Sequence, residues 1–192
     1  MSRNVGLSTS MKASDLVRAA CEGNMKLALA AIKRGANVNA RYKGRPVLLW
    51  AIQQGHLNVV EVLVTSGASL KRRDDSGFSP LDQAVGEGNI QIVKFLLEAG
   101  ADVNGQTANG SPLHTACAYR RLRIAKLLLE SGADPCAVDA QGQTPTALTK
   151  IGKVNKQDAR LRTMLTKAQQ SAFRGRADAA PVSFRGSLAA GH

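Results

Sequence analysis

The residue types that most often carry chemistry, histidine and cysteine, are few and scattered in this chain. The histidines are His56, His114 and His192, and the cysteines are Cys21, Cys117 and Cys136. One pair has dyad spacing, because His114 and Cys117 lie three residues apart on a predicted helix and share a face. A thiolate beside an imidazole would be a nucleophile with an adjacent base. Both residues also fall at regular positions of an internal repeat, which favours structural roles.

Patterns for metal and phosphate binding are missing from the sequence. It contains no CxxC pair, no HExxH and no loop of the form GxxxxGK[ST]. Gly86-Glu87-Gly88 ends a predicted helix and is no phosphate loop. The sequence therefore predicts no catalytic residues, no metal site and no cofactor.

Composition and charge indicate one domain with a basic C-terminal end. The 192 residues are 44% hydrophobic and carry 26 Lys and Arg against 14 Asp and Glu, a net charge of +12. Nine of the basic and two of the acidic residues lie within 141–192. Such an end often meets nucleic acid or another anionic surface, although it can be simply solvated. With three cysteines, no apolar run long enough to span a membrane and no secretory signal, we expect an intracellular protein, cytoplasmic or nuclear.

Three markers recur along the chain with a period of 32 or 33 residues. Gly-Ala pairs begin at Gly35, Gly67, Gly100 and Gly132, each after an apolar segment with helical spacing. The middle of each unit is marked by Gly23, Gly55 and Gly88, with Arg120 in the fourth copy. The triplet Ser-Pro-Leu opens two units, at Ser79 and at Ser111. A fixed period of this length indicates stacked supersecondary units.

These residues resemble the ankyrin repeat. Ser-Pro-Leu-His-Thr-Ala runs from Ser111 to Ala116, and Gly-Ala-Asp-Val-Asn from Gly100 to Asn104. The resemblance covers about 12–168 and implies an all-α ankyrin-repeat solenoid of helix-turn-helix units with hairpin-like loops. It predicts four full repeats and a degenerate C-terminal capping repeat, with bounds 12–43, 44–76, 77–108, 109–141 and 142–168.

The repeat assigns structural roles to several side chains. Small residues at Ala51, Ala84 and Ala116 would let neighbouring first helices pack closely. The resemblance implies that His56 and His114 hydrogen-bond neighbouring loops. It also implies that Asn39 and Asn104 tie closing loops, although this Asn can be a hydroxylation substrate in the family. In the first unit, Ser14 is expected to cap the helix, and in the second, Trp50 should be mostly buried.

Both ends of the chain fall outside the repeat. Residues 1–11 are expected to be a flexible N-terminus, and 169–192 a basic disordered tail. The last helix of the cap is predicted at about 156–168, with Leu161, Met164 and Leu165 facing inward. Phe-Arg-Gly occurs at Phe173 and again at Phe184, as a docking motif, an RNA contact or a chance repetition.

The resemblance implies partner binding on the concave face built from hairpin tips and first helices. The partner-binding positions there are Tyr42, Lys43, Arg45, Gln53, Gln54, Asp75, Phe78, Glu87 and Tyr119. Exposed Tyr, Phe and Arg are frequent anchors at interfaces, so Tyr42, Arg45, Phe78 and Tyr119 are the leading candidates.

A separate basic patch is predicted in the turn of the fourth unit. It comprises Arg120, Arg121, Arg123 and Lys126, which could hold phosphate or acidic side chains or could be a solvated turn.

Two functions follow from the sequence. The first is a non-catalytic protein–protein interaction module, an adaptor, scaffold or inhibitor, monomeric alone and gripping a protein partner on its concave face. The alternative is a subunit of a ribonucleoprotein or nucleic-acid-associated assembly that uses the basic C-terminal end, with affinity that falls steeply with salt.

Overall fold

The computed structural model describes residues 5–107, 109–149 and 156–178, and within them ten helices and one short sheet. The helices form five consecutive pairs: α1 (Val5–Glu22) with α2 (Met25–Lys33), α3 (Val47–Gln53) with α4 (Leu57–Thr65), α5 (Pro80–Glu87) with α6 (Ile90–Glu98), α7 (Pro112–Ala118) with α8 (Leu122–Glu130), and α9 (Pro145–Leu148) with α10 (Lys156–Asp178). The antiparallel strands β1 (Arg41–Tyr42) and β2 (Arg45–Pro46) form the hairpin before α3.

The third pair shows why the sequence folds into a helical hairpin. Ser79 caps α5, since its Oγ accepts the Asp82 N–H at 3.2 Å and the Asp82 carboxylate accepts the Ser79 N–H at 3.1 Å. Pro80 occupies the first helical position, where no backbone donor is needed. Helix α5 ends at Gly88, which has a φ of 81°, a left-handed conformation that glycine adopts without steric cost. Asn89 then caps α6, because its side chain accepts the Ile92 N–H at 3.1 Å.

Stacking of the pairs supplies the core. The first helices α1, α3, α5, α7 and α9 pack in one row, and the second helices α2, α4, α6, α8 and α10 in another. The predicted alanines Ala51, Ala84 and Ala116 are fully buried between first helices. Leu63, Leu96 and Leu128 are fully buried at equivalent positions of the second helices. Each fully buried leucine contributes roughly 1.5–3 kcal/mol, which no isolated pair would gain.

Hydrogen bonds between closing loops join some neighbouring units. Asn39 donates to the Gly67 carbonyl at 3.1 Å and accepts the Ser69 N–H at 2.8 Å. Asn104 makes the same two bonds to the loop of the fourth unit, at 3.0 and 2.8 Å. The predicted loop role of both asparagines is confirmed.

The junction between the second and third units lacks this asparagine tie. Lys71 stands at the equivalent position, and an ammonium group has no acceptor for a loop N–H. A cleft of about 520 Å³ lies at this junction, lined by residues of both units, among them Lys71, Arg73 and Asp102. Arg73 bridges the two loops by donating to the Gln106 carbonyl at 2.8 Å.

The two internal histidines also connect neighbouring units, as predicted. His56 Nε2 lies 3.1 Å from the Cys21 carbonyl at the end of α1. His114 Nδ1 accepts the Ser111 N–H at 3.1 Å, and its Nε2 lies 2.9 Å from the Gln143 carbonyl of the cap. In the neutral ring, Nε2 therefore carries the proton and donates to Gln143.

The first and last helices extend beyond the bounds predicted for the repeat domain, 12–168. Helix α1 begins at Val5, inside the segment 1–11 expected to be flexible, so Ser14 lies within the helix and does not cap it.

Helix α10 begins where predicted but continues past 168 to Asp178, into the segment expected to be disordered. Leu161 and Leu165 face the core, and Gln169 donates to the Pro135 carbonyl at 2.9 Å, which holds the continuation against the fourth unit. The second Phe-Arg-Gly, at Phe184, and His192 lie outside the described residues.

The close packing of the first helices is testable at Ala116. We expect Ala116→Leu to force α7 away from its neighbours and to lower the free energy of unfolding by about 1–3 kcal/mol. Ala118→Leu is the matched control, since Ala118 is exposed on the same helix. Urea denaturation measures both, and equal midpoints for the two variants would contradict the packing described for α7.

Candidate functional site

The geometry of His114 and Cys117 does not form a catalytic dyad. Both ring nitrogens of His114 face other partners, the Ser111 N–H and the Gln143 carbonyl. Cys117 is fully buried, and burial raises the pKa of its thiol to about 12. The thiol therefore stays protonated at neutral pH, and the pair has the structural role favoured by the repeat.

The concave face contains a groove that spans three units. Its volume is about 290 Å³, and it runs from the hairpin of the second unit across α5 to the end of α7. We call this the concave groove; its lining residues are Arg45, Asp74, Ser76, Phe78, Asp82, Gln83, Gly86, Glu87 and Tyr119. Four of the predicted partner-binding residues, Arg45, Phe78, Glu87 and Tyr119, thus meet at one site.

Arg45 lines the groove, and most of its guanidinium group is already engaged in contacts within the protein. Its guanidinium donates to Gln53 Oε1 at 2.5 Å and to Gln83 Oε1 at 2.7 Å, and lies 3.6 Å from the Asp74 carboxylate. It also stacks over the Trp50 ring, 5.4 Å from the centroid. Arg45 therefore joins the second unit to the third, and its side chain is only 19% exposed.

Tyr42, Lys43 and Trp50 form a cluster of ring–ring and cation–ring contacts beside the groove. The Tyr42 and Trp50 ring centroids are 6.2 Å apart with the planes tilted by 58°, and Lys43 Nζ lies 5.6 Å from the Tyr42 centroid. Tyr42 and Lys43 remain exposed. Trp50 is only partly exposed and packs against the core, in agreement with its predicted burial, and Arg45 and Tyr42 lie over its ring.

The remaining predicted positions differ in their availability. Gln53 and Gln54 are exposed on the last turn of α3, and Gln53 is already the acceptor for Arg45. Asp75 is exposed and pairs with Arg41 at 2.6 Å within the hairpin tips. These three residues lie beside the concave groove without lining it.

Tyr119 and Glu87 are the most available side chains of the concave groove. Tyr119 ends α7 and is 57% exposed. A Cβ built on Gly86 would lie 4.0 Å from Tyr119 Cε2, an ordinary van der Waals distance, so the Tyr119 ring lies close to this position of α5. Glu87 is exposed and accepts from Gln83 Nε2 at 2.6 Å, while Phe78 is half-buried at the hairpin tip.

The sequence interpretation missed three polar residues of the groove, Asp74, Asp82 and Gln83. Asp82 is the most unusual, because it is 1% exposed and its Oδ1 has no hydrogen-bond partner. Burial raises the pKa of this carboxyl, while hydrogen bonds from Ser79 and the charge of Arg73 oppose the rise. The signal was present in the sequence, since Asp82 replaces the histidine of the opening motif that His114 retains.

The predicted basic patch is partly used inside the structure. Arg120 pairs with the Asp158 carboxylate of α10 at 3.0 Å, and Asp158 is 1% exposed. Arg120 also has a φ of 55°, a left-handed conformation that costs an ordinary residue roughly 1–2 kcal/mol. The ion pair offsets that cost and fastens the cap to the fourth unit.

Arg121 closes the C-terminal end of α5. Its Nη2 donates to the Gly86 carbonyl at 3.0 Å and to the Glu87 carbonyl at 3.3 Å. This position corresponds to His56, which contacts the end of α1 in the same way. Arg123 is exposed and Lys126 pairs loosely with Glu130 at 3.6 Å, so these two remain the accessible members of the patch.

Across the described ranges 5–107, 109–149 and 156–178, no cluster of three or more His, Cys, Asp or Glu side chains has the arrangement of a metal site. In the same part of the chain, no helix combines the length and apolarity needed to cross a bilayer.

The stacked helical pairs, the hairpin between β1 and β2 and the interlocking closing loops define a helical solenoid repeat protein. A family model of three ankyrin repeats matches residues 16–107 and, in a second placement, 77–139. The chain belongs to the ankyrin repeat family, whose repeats are general protein–protein interaction modules.

Several curated relatives share segments with this chain. The palmitoyltransferase AKR1 of Lachancea kluyveri is 45% identical over 67 residues, which is 35% of this chain and 9% of that protein. An ankyrin repeat protein of Borreliella burgdorferi is 36% identical over 81 residues, 42% of this chain and 36% of that protein. The ankyrin repeat and KH domain-containing protein mask-1 of Caenorhabditis elegans is 35% identical over 88 residues, 45% of this chain and 3% of that protein. The matches therefore span well under two thirds of each relative.

Substitutions in the basic patch should separate structural from accessible cations. We expect Arg120→Ala and Arg121→Ala each to lower the free energy of unfolding by about 1–3 kcal/mol, because charge-assisted hydrogen bonds are lost. Arg123→Ala and Lys126→Ala should change it by less than about 0.5 kcal/mol. Urea denaturation of the four variants checks this, and four equal effects would show that Arg120 and Arg121 have no special structural role.

Proposed function

We propose that this chain is a non-catalytic interaction module that binds a protein partner in the concave groove, as an adaptor, scaffold or inhibitor. The main supporting observation is that Phe78, Glu87 and Tyr119, contributed by two successive units and their hairpin, line one open groove. An exposed tyrosine beside a half-buried phenylalanine is typical of interface anchors.

The contacts of Arg45 in the groove support this proposal. Arg45, held by Gln53, Gln83 and Asp74, fixes the second unit against the third before any partner arrives. A preorganised surface loses less conformational entropy on binding than a mobile one. We further propose that the chain acts inside the cell, in the cytoplasm or nucleus, and is monomeric without its partner.

Exposed aromatic residues on different faces provide a direct test. We expect Tyr119→Ala to weaken partner capture at least about tenfold, because Tyr119 is the most exposed aromatic side chain that lines the groove. The matched control is Phe173→Ala, which removes a 63% exposed aromatic residue from α10, outside the groove. Cross-linking in nuclease-treated cell extract, followed by mass spectrometry, measures the proteins captured by each variant.

The two variants distinguish binding in the concave groove from binding through the first Phe-Arg-Gly on α10. Proteins lost with Tyr119→Ala and retained with Phe173→Ala support the concave groove. The reverse pattern would contradict the proposal and indicate that the first Phe-Arg-Gly on α10 is the docking motif.

Nucleic-acid binding is a second candidate, supported by the exposed cations of α10. Arg160, Lys167 and Arg174 are exposed on this helix, while its acidic Asp158 is buried against Arg120. The candidate is weaker than the first, because Arg120 and Arg121 are engaged within the protein.

Salt dependence distinguishes this second candidate. If α10 binds RNA, the affinity for a labelled 20-nucleotide single strand should fall steeply with salt, and Lys167→Ala with Arg174→Ala should reduce the log–log slope by about 1.4. Fluorescence anisotropy measures the slope, and Lys94→Ala is the control on α6. A salt-independent signal, or an unchanged slope in the double variant, would remove α10 from consideration.

A further inference from the structure

The concave groove is acidic in a strongly basic chain. Three carboxylates, Asp74, Asp82 and Glu87, line it together with one cation, Arg45. The guanidinium of Arg45 pairs with Asp74 and gives its other hydrogen bonds to glutamines. Within the described part of the chain, neither Asp82 nor Glu87 forms an ion pair. The groove therefore contains two carboxyl groups, Asp82 and Glu87, that have no ion-pair partner within the described residues.

Asp82 is the carboxylate of the groove whose hydrogen bonding is least complete. Its Oδ2 accepts both the N–H and the hydroxyl of Ser79, at 3.1 and 2.5 Å, while the buried Oδ1 accepts nothing. A buried carboxylate with an unused oxygen is unfavourable until a positive charge comes near. Arg73, whose charge acts on Asp82, donates its own hydrogen bonds to the carbonyls of Gly77 and Gln106.

Glu87 occupies a position that stability alone would not favour. It is the last residue of α5, where the helix dipole is negative and an anion is disfavoured. Arg121 donates to carbonyl oxygens at this helix end but forms no ion pair with the Glu87 carboxylate in the described structure. The carboxylate therefore points to a role other than stabilising α5.

Two aromatic side chains also line the groove. Tyr119 is exposed above Gly86, and Phe78 lies at the hairpin tip. Rings of this kind attract cations at their faces. The same hairpin already shows the arrangement, because the Arg45 guanidinium stacks on Trp50 while it bonds to side-chain oxygens.

We propose that the concave groove receives an arginine side chain from a basic segment of the protein partner, stacked on Tyr119 and paired with Glu87. This rests on the proposed function and adds the chemistry of the partner. A guanidinium fits better than an ammonium, because it is planar, stacks on a ring and presents paired donors to a carboxylate. Asp82 adds attraction from beneath without needing direct contact.

The test compares two isosteric probes that differ in charge. Acetyl-arginine amide and acetyl-citrulline amide are titrated into the ¹⁵N-labelled full chain, and amide shifts are followed by NMR. We expect saturable shifts at Gly86, Glu87 and Tyr119 with arginine, and at least about tenfold weaker binding of citrulline. Equal responses to the two probes, or no saturable response to arginine, would overturn the inference.

A pair of charge variants localises the effect. Glu87→Gln should weaken arginine binding about three- to tenfold and leave the melting temperature unchanged or raised, because an unfavourable charge is removed from the end of α5. Glu98→Gln makes the same charge change on exposed α6, where Glu98 pairs with Lys94, and should leave binding unchanged. Equal loss of arginine binding in both variants would show that the net charge of the protein, and not the Glu87 carboxylate, determines the affinity, which would contradict the assignment to Glu87.

Two further outcomes separate this inference from the proposed function. If Tyr119→Ala loses the protein partner but arginine causes no shifts, the concave groove binds a partner of different chemistry and only this inference fails. If the same amides shift with protein concentration alone, a second copy of this basic chain fills the groove and the proposed foreign partner is excluded.

Discussion

Each of the first four helical pairs reverses its direction within two or three residues, and the stacked structure depends on that reversal. The turn needs a left-handed backbone residue, which Gly23, Gly55 and Gly88 provide. Once the two helices lie side by side, each presents an apolar face that only the next unit can cover. The turn therefore fixes both the pitch of the stack and the alignment of its concave face. In the fourth unit, Arg120 adopts the same left-handed conformation although it is not a glycine. Its side chain forms an ion pair with Asp158, which attaches the cap to the fourth unit.

The concave groove follows from this alignment. Glu87 and Tyr119 lie at the ends of successive first helices, α5 and α7, and the stacking brings these ends together across Gly86. Arg45 reaches the same place from the hairpin, where pairing of Tyr42 with Arg45 in β1 and β2 directs its backbone. The groove is therefore produced by residues distant in sequence, although each sits at an ordinary position of its own unit.

The repeat made most of the fold predictable, whereas the chemistry of the groove was only partly so. The period located the helices, the buried alanines and the structural roles of His114 and Asn104. It also brought together Phe78, Glu87 and Tyr119 as partner-binding candidates. Pairing between side chains of different units has no periodic signal, so the engagement of Arg45 and Arg120 was missed. The helix ends beyond the repeat were also missed, because no repeat partner marks where α1 begins or α10 ends.

The unequal fastening of the units bears on how the stack comes apart. The first two units share the Asn39 tie, and the third and fourth share the Asn104 tie, whereas Lys71 leaves the middle junction without one. In a linear array, the weakest nearest-neighbour coupling sets the boundary between cooperative folding blocks. The chain should therefore behave as two blocks, the first two units in one and the third and fourth units with the cap in the other, and Arg45 is a main link across their boundary. Because the concave groove lies over that boundary, an occupant would bridge the blocks and make their unfolding more cooperative.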